Sequence, residues 1–245
     1  MSRWPTGTRC NLCGQRVEFT SITESLGPTL AEHGFPFALD DFETLNHRAY
    51  SCPVCGSSDR DRLYKLYLDR SATPRPGTSV VEFAPSAPLS TYLRGLPGIA
   101  YRTADLFMEG VDDVVDLTDM SGYDDASFDF FICSHVLEHV SDDRQALDEL
   151  FRVLRPGGSG IVMTPVAPAG SFDEDPAVTD VPERWRRFAQ DDHVRLYDRE
   201  TLLARIRASG LDVRTLGWRF FGPHRFLRHG IALRSVLYVV SRPAS

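Results

Sequence analysis

The sequence predicts an α/β fold, a mainly parallel sheet flanked by helices, and three features between Ser127 and Thr164 carry that prediction. Phe128 to Cys133 is a continuous apolar run rich in aromatic and β-branched residues and bounded by Asp and Ser, the pattern of a strand buried on both faces. Such a strand lies inside a sheet. From Asp142 the period becomes helical: Leu147, Leu150, Phe151 and Leu154 fall on one stripe, while Arg144, Asp148, Glu149 and Arg152 face water. Asp142 is placed to cap this helix with Gln145 reaching back, and Arg155-Pro156-Gly157-Gly158 ends it. Ile161 to Met163 is a second buried run, so strand, helix and strand succeed one another within the length of a right-handed parallel βαβ unit.

The whole chain narrows the function classes. Its 245 residues suffice for one domain, or for one domain with a small appendage. No apolar run reaches the length of a membrane span, and the N-terminus has no basic region followed by an apolar stretch, so a cytoplasmic protein is expected. Lys65 is the only lysine; arginine supplies the remaining basic charge, a usage expected of a GC-rich bacterial genome. The net charge of -7 is uneven: residues 1–75 carry 9 basic and 9 acidic groups, residues 76–180 carry 5 and 19, and residues 181–245 carry 13 and 6. Nucleic-acid binding rests on cationic groups that displace counterions, and the first two segments offer no basic surface. A nucleic-acid partner is therefore not expected, with only the C-terminal arginines keeping that option open.

Near the N-terminus Cys10-Asn11-Leu12-Cys13-Gly14 is answered by Cys52-Pro53-Val54-Cys55-Gly56. Two CxxC pairs, each followed by glycine, look like two zinc knuckles whose four thiolates suit a structural zinc ion and leave no open position for catalysis. Disulfides are the alternative, unexpected in a cytoplasmic chain, as is ordinary burial, which gives no reason for the doubled spacing. The insert between the pairs is long for a ribbon and is expected to carry its own hairpin or subdomain, with turns at Gly27-Pro28 and Gly34-Phe35-Pro36-Phe37. The stretch SSDRDRLYKLYLDR then reads as a helix with Leu63, Leu66 and Tyr67 on one stripe, docking the ribbon to the main domain. Thr73-Pro74-Arg75-Pro76-Gly77 breaks it. The expected organisation is a ribbon over residues 1–58, a docking helix and linker over 59–75, and the main domain over 76–245.

FDFFICSHVLEHV (128–140) followed by ALDELFRVLRPGG (146–158) closely resembles the segment after the fourth strand of class I S-adenosylmethionine-dependent methyltransferases, the small-molecule, type 11-like kind. With CPVCGSSDR and the helix after it, the chain is similar to a bacterial subgroup that carries an N-terminal zinc ribbon. The resemblance implies a seven-stranded Rossmann-like sheet, S-adenosylmethionine as cofactor and a small-molecule acceptor. Ser79 to Phe83 is then the first strand. Where the family has an acidic-x-Gly-x-Gly-x-Gly loop, this chain has Glu82-Phe83-Ala84-Pro85-Ser86-Ala87-Pro88, which keeps the acid and replaces every glycine. Ala84 and Ser86 are small enough for close approach, but positive φ is costly there. Tyr101 to Asp105 is the second strand, with Asp105 placed to accept both ribose hydroxyls and Leu106 beside it. Val114 to Thr118 is the third strand with its turn, where Asp116 accepts from the adenine amino group and Leu117 adjoins it; an exposed, solvated aspartate is the alternative. Ser134 completes the expected cofactor set at the end of the fourth strand. His135 lines the mouth of the site as a catalytic candidate, and His139 anchors the turn.

Pro165 to Tyr197 reads as a long irregular segment at the carboxyl edge of the sheet, where ligands bind, and is the expected lid over the acceptor. Within it His193, amid acids, is expected to have a raised pKa and to serve as catalytic base, the alternative being a histidine hydrogen-bonded within a loop. Asp198 caps a helix stopped by Gly210, Leu211–Leu216 and Ser235–Val240 complete the sheet, and the HRFLRHGI connection is a candidate for the substrate end. Cys133 is core. The expected activity is methyl transfer to an O- or N-nucleophile. A nicotinamide oxidoreductase would show a GxGxxG turn, which is absent, and a non-catalytic ligand-binding or interaction protein with a degenerate cofactor loop is the alternative.

Overall fold

A computed structural model describes residues 7–244. In chain order its elements are α1 (Thr23–Glu32), α2 (Asp59–Ser71), β1 (Ser79–Phe83), α3 (Ala87–Arg94), β2 (Ala100–Asp105), β3 (Asp113–Val114), β4 (Phe128–Ser134), α4 (Asp143–Val153) and β5 (Leu154–Met163). Next come β6 (Val166–Ala167), β7 (Asp173–Glu174), α5 (Val181–Phe188), β8 (Arg195–Asp198), α6 (Arg199–Ala208), β9 (Asp212–Leu216), α7 (Trp218–Phe221), α8 (Pro223–Arg228) and β10 (Leu237–Ser241). The main sheet has seven strands in the order β3-β2-β1-β4-β5-β10-β9, parallel except for β10, which runs antiparallel to both neighbours. The predicted α/β class is the observed one. Strand order reverses between β1 and β4, and ligands of open α/β sheets bind outside the carboxyl ends at such a point.

β4 sits at the centre, as its unbroken apolar run requires, with Phe130 to Cys133 almost wholly buried. α4 begins where Asp142 accepts from the backbone N–H groups of Arg144 and Gln145, and it buries Ala146, Leu147, Leu150 and Val153 against the sheet. β5 starts earlier than the Ile161–Met163 run suggests, because Leu154 already pairs with Phe128 before an irregularity restores register at Ser159. β3 is only Asp113–Val114, since Asp116 turns its carboxylate onto Thr118 and ends the extended run.

Two expectations for irregular regions are corrected. Gly27-Pro28 is no turn: both residues lie inside α1, whose Leu26 and Leu30 join Phe35, Leu39 and Phe42 in a small apolar core. Of the two expected forms, hairpin or small subdomain, the insert takes the second, a helix with its own small core. The segment after β5 is also ordered, with β6, β8 and β7 forming a second sheet and α5 packed beside it. Phe188 and Leu196 of this segment share the small core with α1, so the insert and the expected lid pack as one body over the sheet.

Gly160 pairs with Phe131 at the centre of the main sheet, and a Cβ at this glycine would lie 2.7 Å from the buried Phe131 ring. Gly160→Ala is expected to lower stability by about 1–3 kcal/mol, the cost of overpacking. Urea denaturation reads this directly; an unchanged midpoint would contradict the close packing of β4 on β5.

Candidate functional site

At the switch point a cleft of 510 Å³ opens between the loops that come after β1, β2 and β4. Ala84, Asp105, Leu106, Asp116 and Leu117 all line it, with His135 and His139 from the β4 loop opposite. Asp105 accepts from the backbone N–H groups of Phe107 and Met108, both at 2.7 Å through Oδ1, and Asp116 receives Thr118 through Oδ1 in the same way. Each carboxylate thus spends one oxygen on shaping its own turn, and among the described residues its Oδ2 has no hydrogen-bond partner. Ala84 adopts φ of 49°, the left-handed conformation that glycine normally supplies in such a loop. It bears that cost with its N–H bonded to Ala104.

Two members of the predicted cofactor set stand elsewhere. Glu82 is 2 % exposed and turned inward, accepting from Tyr101, from Ser90 and from the Ser86 backbone N–H, so it shapes the cofactor loop from beneath. Ser134 bonds Tyr64 of α2 at 2.7 Å. Both line a neighbouring cavity that also contains Tyr50, Arg60 and His135. The reason is packing: α2 lies across the ends of β1 and β4, and its polar face claims these side chains.

A second cavity, of 230 Å³, adjoins the cleft and shares His135 and His139 with it. Its apolar wall comes from the insert, through Leu26, Leu30, Leu39 and Phe42, and its polar lining includes Tyr50, Arg60, Gln190 and His193. The insert and Arg60 were not among the predicted site residues. Nothing in the spacing of two cysteine pairs reveals that the chain between them reaches over the sheet.

The histidines differ from expectation. His193 is 2 % exposed, its Nδ1 faces the Phe188 carbonyl at 3.0 Å, and burial pushes its pKa down, not up; the neighbouring Asp192 carboxylate goes to His139. His135 receives an Arg60 guanidinium N–H at Nε2, while its Nδ1 lies 2.9 Å from Glu138. Burial, aided by Arg60, drives its pKa down to about 4. With Nε2 taken by Arg60 and Nδ1 turned toward the Glu138 carboxylate, this histidine is not placed to take a proton from an acceptor. Its backbone is left-handed, φ 58°, a strain of a kind that clusters at functional sites. Burial lowers the His139 pKa, but the Asp192 and Glu138 carboxylates together outweigh it and hold it above its ordinary value.

Below this region the four predicted thiols converge. Cys10, Cys13, Cys52 and Cys55 present sulfurs within 4.8 Å of one another, with Cys10–Cys55 at 3.7 Å and Cys13–Cys52 at 3.8 Å, and none forms a disulfide. The two knuckles are built alike. Gly14 and Gly56 have φ of 74° and 76°, and their N–H groups return to the carbonyls of Cys10 and Cys52 at 2.9 and 2.8 Å. The HRFLRHGI connection belongs here and not at the substrate end: Arg9 N–H bonds the Arg228 carbonyl, and Arg62 bonds that of His229. Cys133 is fully buried, as expected of a core residue.

Comparison with known proteins adds three findings. Residues 103–162 match a family model described as "Methyltransferase domain". A demethylmenaquinone methyltransferase of Clavibacter sepedonicus is 32% identical over 121 residues, 43% of this chain and 49% of that protein. The chain thus spans about half the length of the curated relative it matches. Among solved structures, a putative sarcosine dimethylglycine methyltransferase from Galdieria sulphuraria is similar with a TM-score of 0.51 and 12% identity, covering 76% of this chain and 85% of that one. The [4+2]-cyclase SpnF is similar with a TM-score of 0.50 and 15% identity, covering 94% and 100%. At these identities the likeness is one of fold.

Burial raises the Glu82 carboxyl to about 7, outweighing the hydrogen bonds from Tyr101, Ser86 and Ser90. Between the ordinary carboxyl range and about pH 7, the folded protein then holds a proton that the unfolded chain has released. Stability should therefore fall as pH rises through that window, by up to about 3 kcal/mol. Glu82→Gln is expected to lack this component, so its urea midpoint should gain on the parent's between pH 5 and pH 8. Parallel profiles for the two proteins would show that Glu82 is ionised in the fold.

Proposed function

We propose that the protein transfers a methyl group from S-adenosylmethionine to an oxygen or nitrogen of a small-molecule acceptor, and that it holds one structural zinc ion. The observation that carries the reading is the coincidence of the methyltransferase-domain match, residues 103–162, with the cleft at the β1/β4 switch point. Asp105 and Asp116 would hold the cofactor, the first at the ribose and the second at the adenine, each through its Oδ2. Leu106 and Leu117 flank them, and Ala84 allows close approach of the backbone. The sulfonium brings an already activated methyl group, so what is asked of the chain is alignment and, for a hydroxyl or ammonium acceptor, loss of a proton.

The cavity beneath the insert is where the acceptor would lie, since it opens beside the cleft and shares two histidines with it. Its wall suits an apolar body, and His193, which lines it, would orient the reacting end. No helix among the described residues is long and apolar enough to cross a membrane. Of the thirteen arginines beyond residue 180, eight donate to carboxylates or carbonyls of the chain itself, which favours a small-molecule partner over a nucleic acid.

Calorimetry with S-adenosylmethionine tests the reading. Binding should be present in the parent and about thirtyfold weaker in a folded Asp105→Ala variant, the equivalent of about 2 kcal/mol for two hydroxyls losing their acceptor. Equal affinity in the two proteins would remove Asp105 from the cofactor site, and no binding to either would favour a non-catalytic role.

Zinc is supported by geometry. Four sulfurs about 2.3 Å from one ion stand about 3.8 Å apart in a regular tetrahedron, close to the separations seen. Protein purified without added metal is expected to contain one zinc per chain, and Cys52→Ser to lose it. Full occupancy in that variant would assign the ion elsewhere.

A further inference from the structure

A second cluster with ligand character adjoins the acceptor cavity, which two of its members, His139 and His193, line. Glu138, His139 and His193 each bring one potential ligand atom within 4.8 Å of the others. Glu138 and His193 are 1 % and 2 % exposed. We propose that these three residues form a site for a divalent transition-metal ion, distinct from the four cysteines and open to the acceptor cavity.

Glu138 is the most deeply buried of the three. A carboxylate this deeply buried requires a compensating charge or a full set of hydrogen bonds. Thr164 donates to Oε2 at 2.9 Å, but among the described residues Oε1 has no hydrogen-bond partner. His135 Nδ1 stands 2.9 Å from that oxygen without the alignment of a hydrogen bond, and no arginine or lysine pairs with it among the described residues. That oxygen has the His135 ring beside it but no hydrogen bond, and the carboxylate has the imidazoles of His139 and His193 within 4.8 Å.

The outer groups are arranged as they are around metal ligands. A ligating histidine typically gives its second ring nitrogen to a carbonyl or carboxylate, which fixes the tautomer and the ring. His193 faces the Phe188 carbonyl with Nδ1, and His139 faces Asp192 with Nδ1 at 3.2 Å. Among the described residues, neither Nε2 atom has a hydrogen-bond partner. Thr164 supplies the equivalent support for the carboxylate. A solvated loop has no need to anchor two adjoining histidines this way.

Two imidazoles and one carboxylate with open positions suit a borderline or hard divalent ion such as Mn²⁺, Fe²⁺ or Co²⁺, whereas four thiolates select zinc. The two sites would therefore sort different ions. If the cavity is the acceptor site, which rests on the proposed methyl transfer, the open positions fit an acceptor that has an oxygen donor on a small apolar body.

The test uses the full chain as purified, with its zinc counted first, and Mn²⁺ alone as probe, since manganese has little affinity for thiolates. Loss of the free-ion EPR signal should titrate to one Mn²⁺ per chain. His193→Ala and Glu138→Gln should each weaken that binding at least tenfold while zinc content and circular dichroism stay unchanged. Asp192→Asn, outside the ligand set, should weaken it less. If Glu138→Gln does not fold, His193→Ala and Asp192→Asn still decide the matter. Co²⁺ should bind with visible absorption lacking thiolate charge transfer. Absence of Mn²⁺ and Co²⁺ uptake beyond the zinc, or uptake indifferent to His193→Ala, overturns the site. Because S-adenosylmethionine is not in the titration, that failure leaves methyl transfer to be judged by its own calorimetry.

Discussion

The guanidinium of Arg195 is the constraint on which the candidate site depends. It is fully buried, and it donates to the carbonyls of Leu137, Val140 and Ser141, with Nε bonding Glu174 at 2.7 Å. Those carbonyls belong to the loop that holds His135, Glu138 and His139. Helical caps and strand ladders leave loop carbonyls of this kind without partners, and a buried carbonyl without a partner is costly. Arg205 extends the network to Asp143 and Glu174, and Tyr197 donates to Asp143, so the start of α4 is fixed by the same cluster. Removing one member of such a buried network costs on the order of 3–5 kcal/mol, because the remaining charges stay buried. The segment expected to be a lid is thus in part a brace: β8 positions the β4 loop and, two residues earlier in the chain, His193.

Arg62 plays the same part for the N-terminal region. Fully buried, it bonds the carbonyls of Ala49, Ser57 and His229 and stacks on the Phe19 ring at 3.9 Å. One side chain of α2 thereby ties the second cysteine knuckle, the insert and the connection before β10 together. Two residues earlier on the same helix, Arg60 reaches His135. The cysteine cluster is consequently linked by a short covalent and hydrogen-bonded path to the mouth of the cleft. A metal at the knuckles would fix the ends of the insert, and the insert forms the apolar wall of the second cavity.

How much the sequence disclosed depends on which interactions are local. The βαβ unit was legible because burial of a strand on both faces and of a helix on one leaves periodic patterns in Phe128–Cys133 and Leu147–Leu154. The pairs Cys10/Cys13 and Cys52/Cys55 were legible because a knuckle is a short-range turn. Asp105, Asp116, Ala84, Leu106 and Leu117 were placed by resemblance, and all five line the cleft. The misreadings involve long-range packing. Glu82 looks like any acid at a strand end, and only the Tyr101 hydroxyl from β2 turns it inward. His193 was expected to be raised by Asp191 and Asp192, but neighbours in sequence are not neighbours in space: Asp192 pairs with His139 while Phe188 takes the ring. Pro28 suggested a turn, yet the apolar contacts of Leu26 and Leu30 outweigh its missing N–H.

In the proposed reading, cofactor and acceptor occupy two adjoining cavities, one formed by the sheet edge and the other by the insert. Hydrogen exchange with and without S-adenosylhomocysteine tests it most directly. The account predicts slowed exchange in the β2 and β3 turns, residues 104–118, and in the β4 loop, residues 135–141, with the insert over residues 22–45 nearly unchanged. Protection concentrated in the insert, with the two turns unaffected, would contradict it.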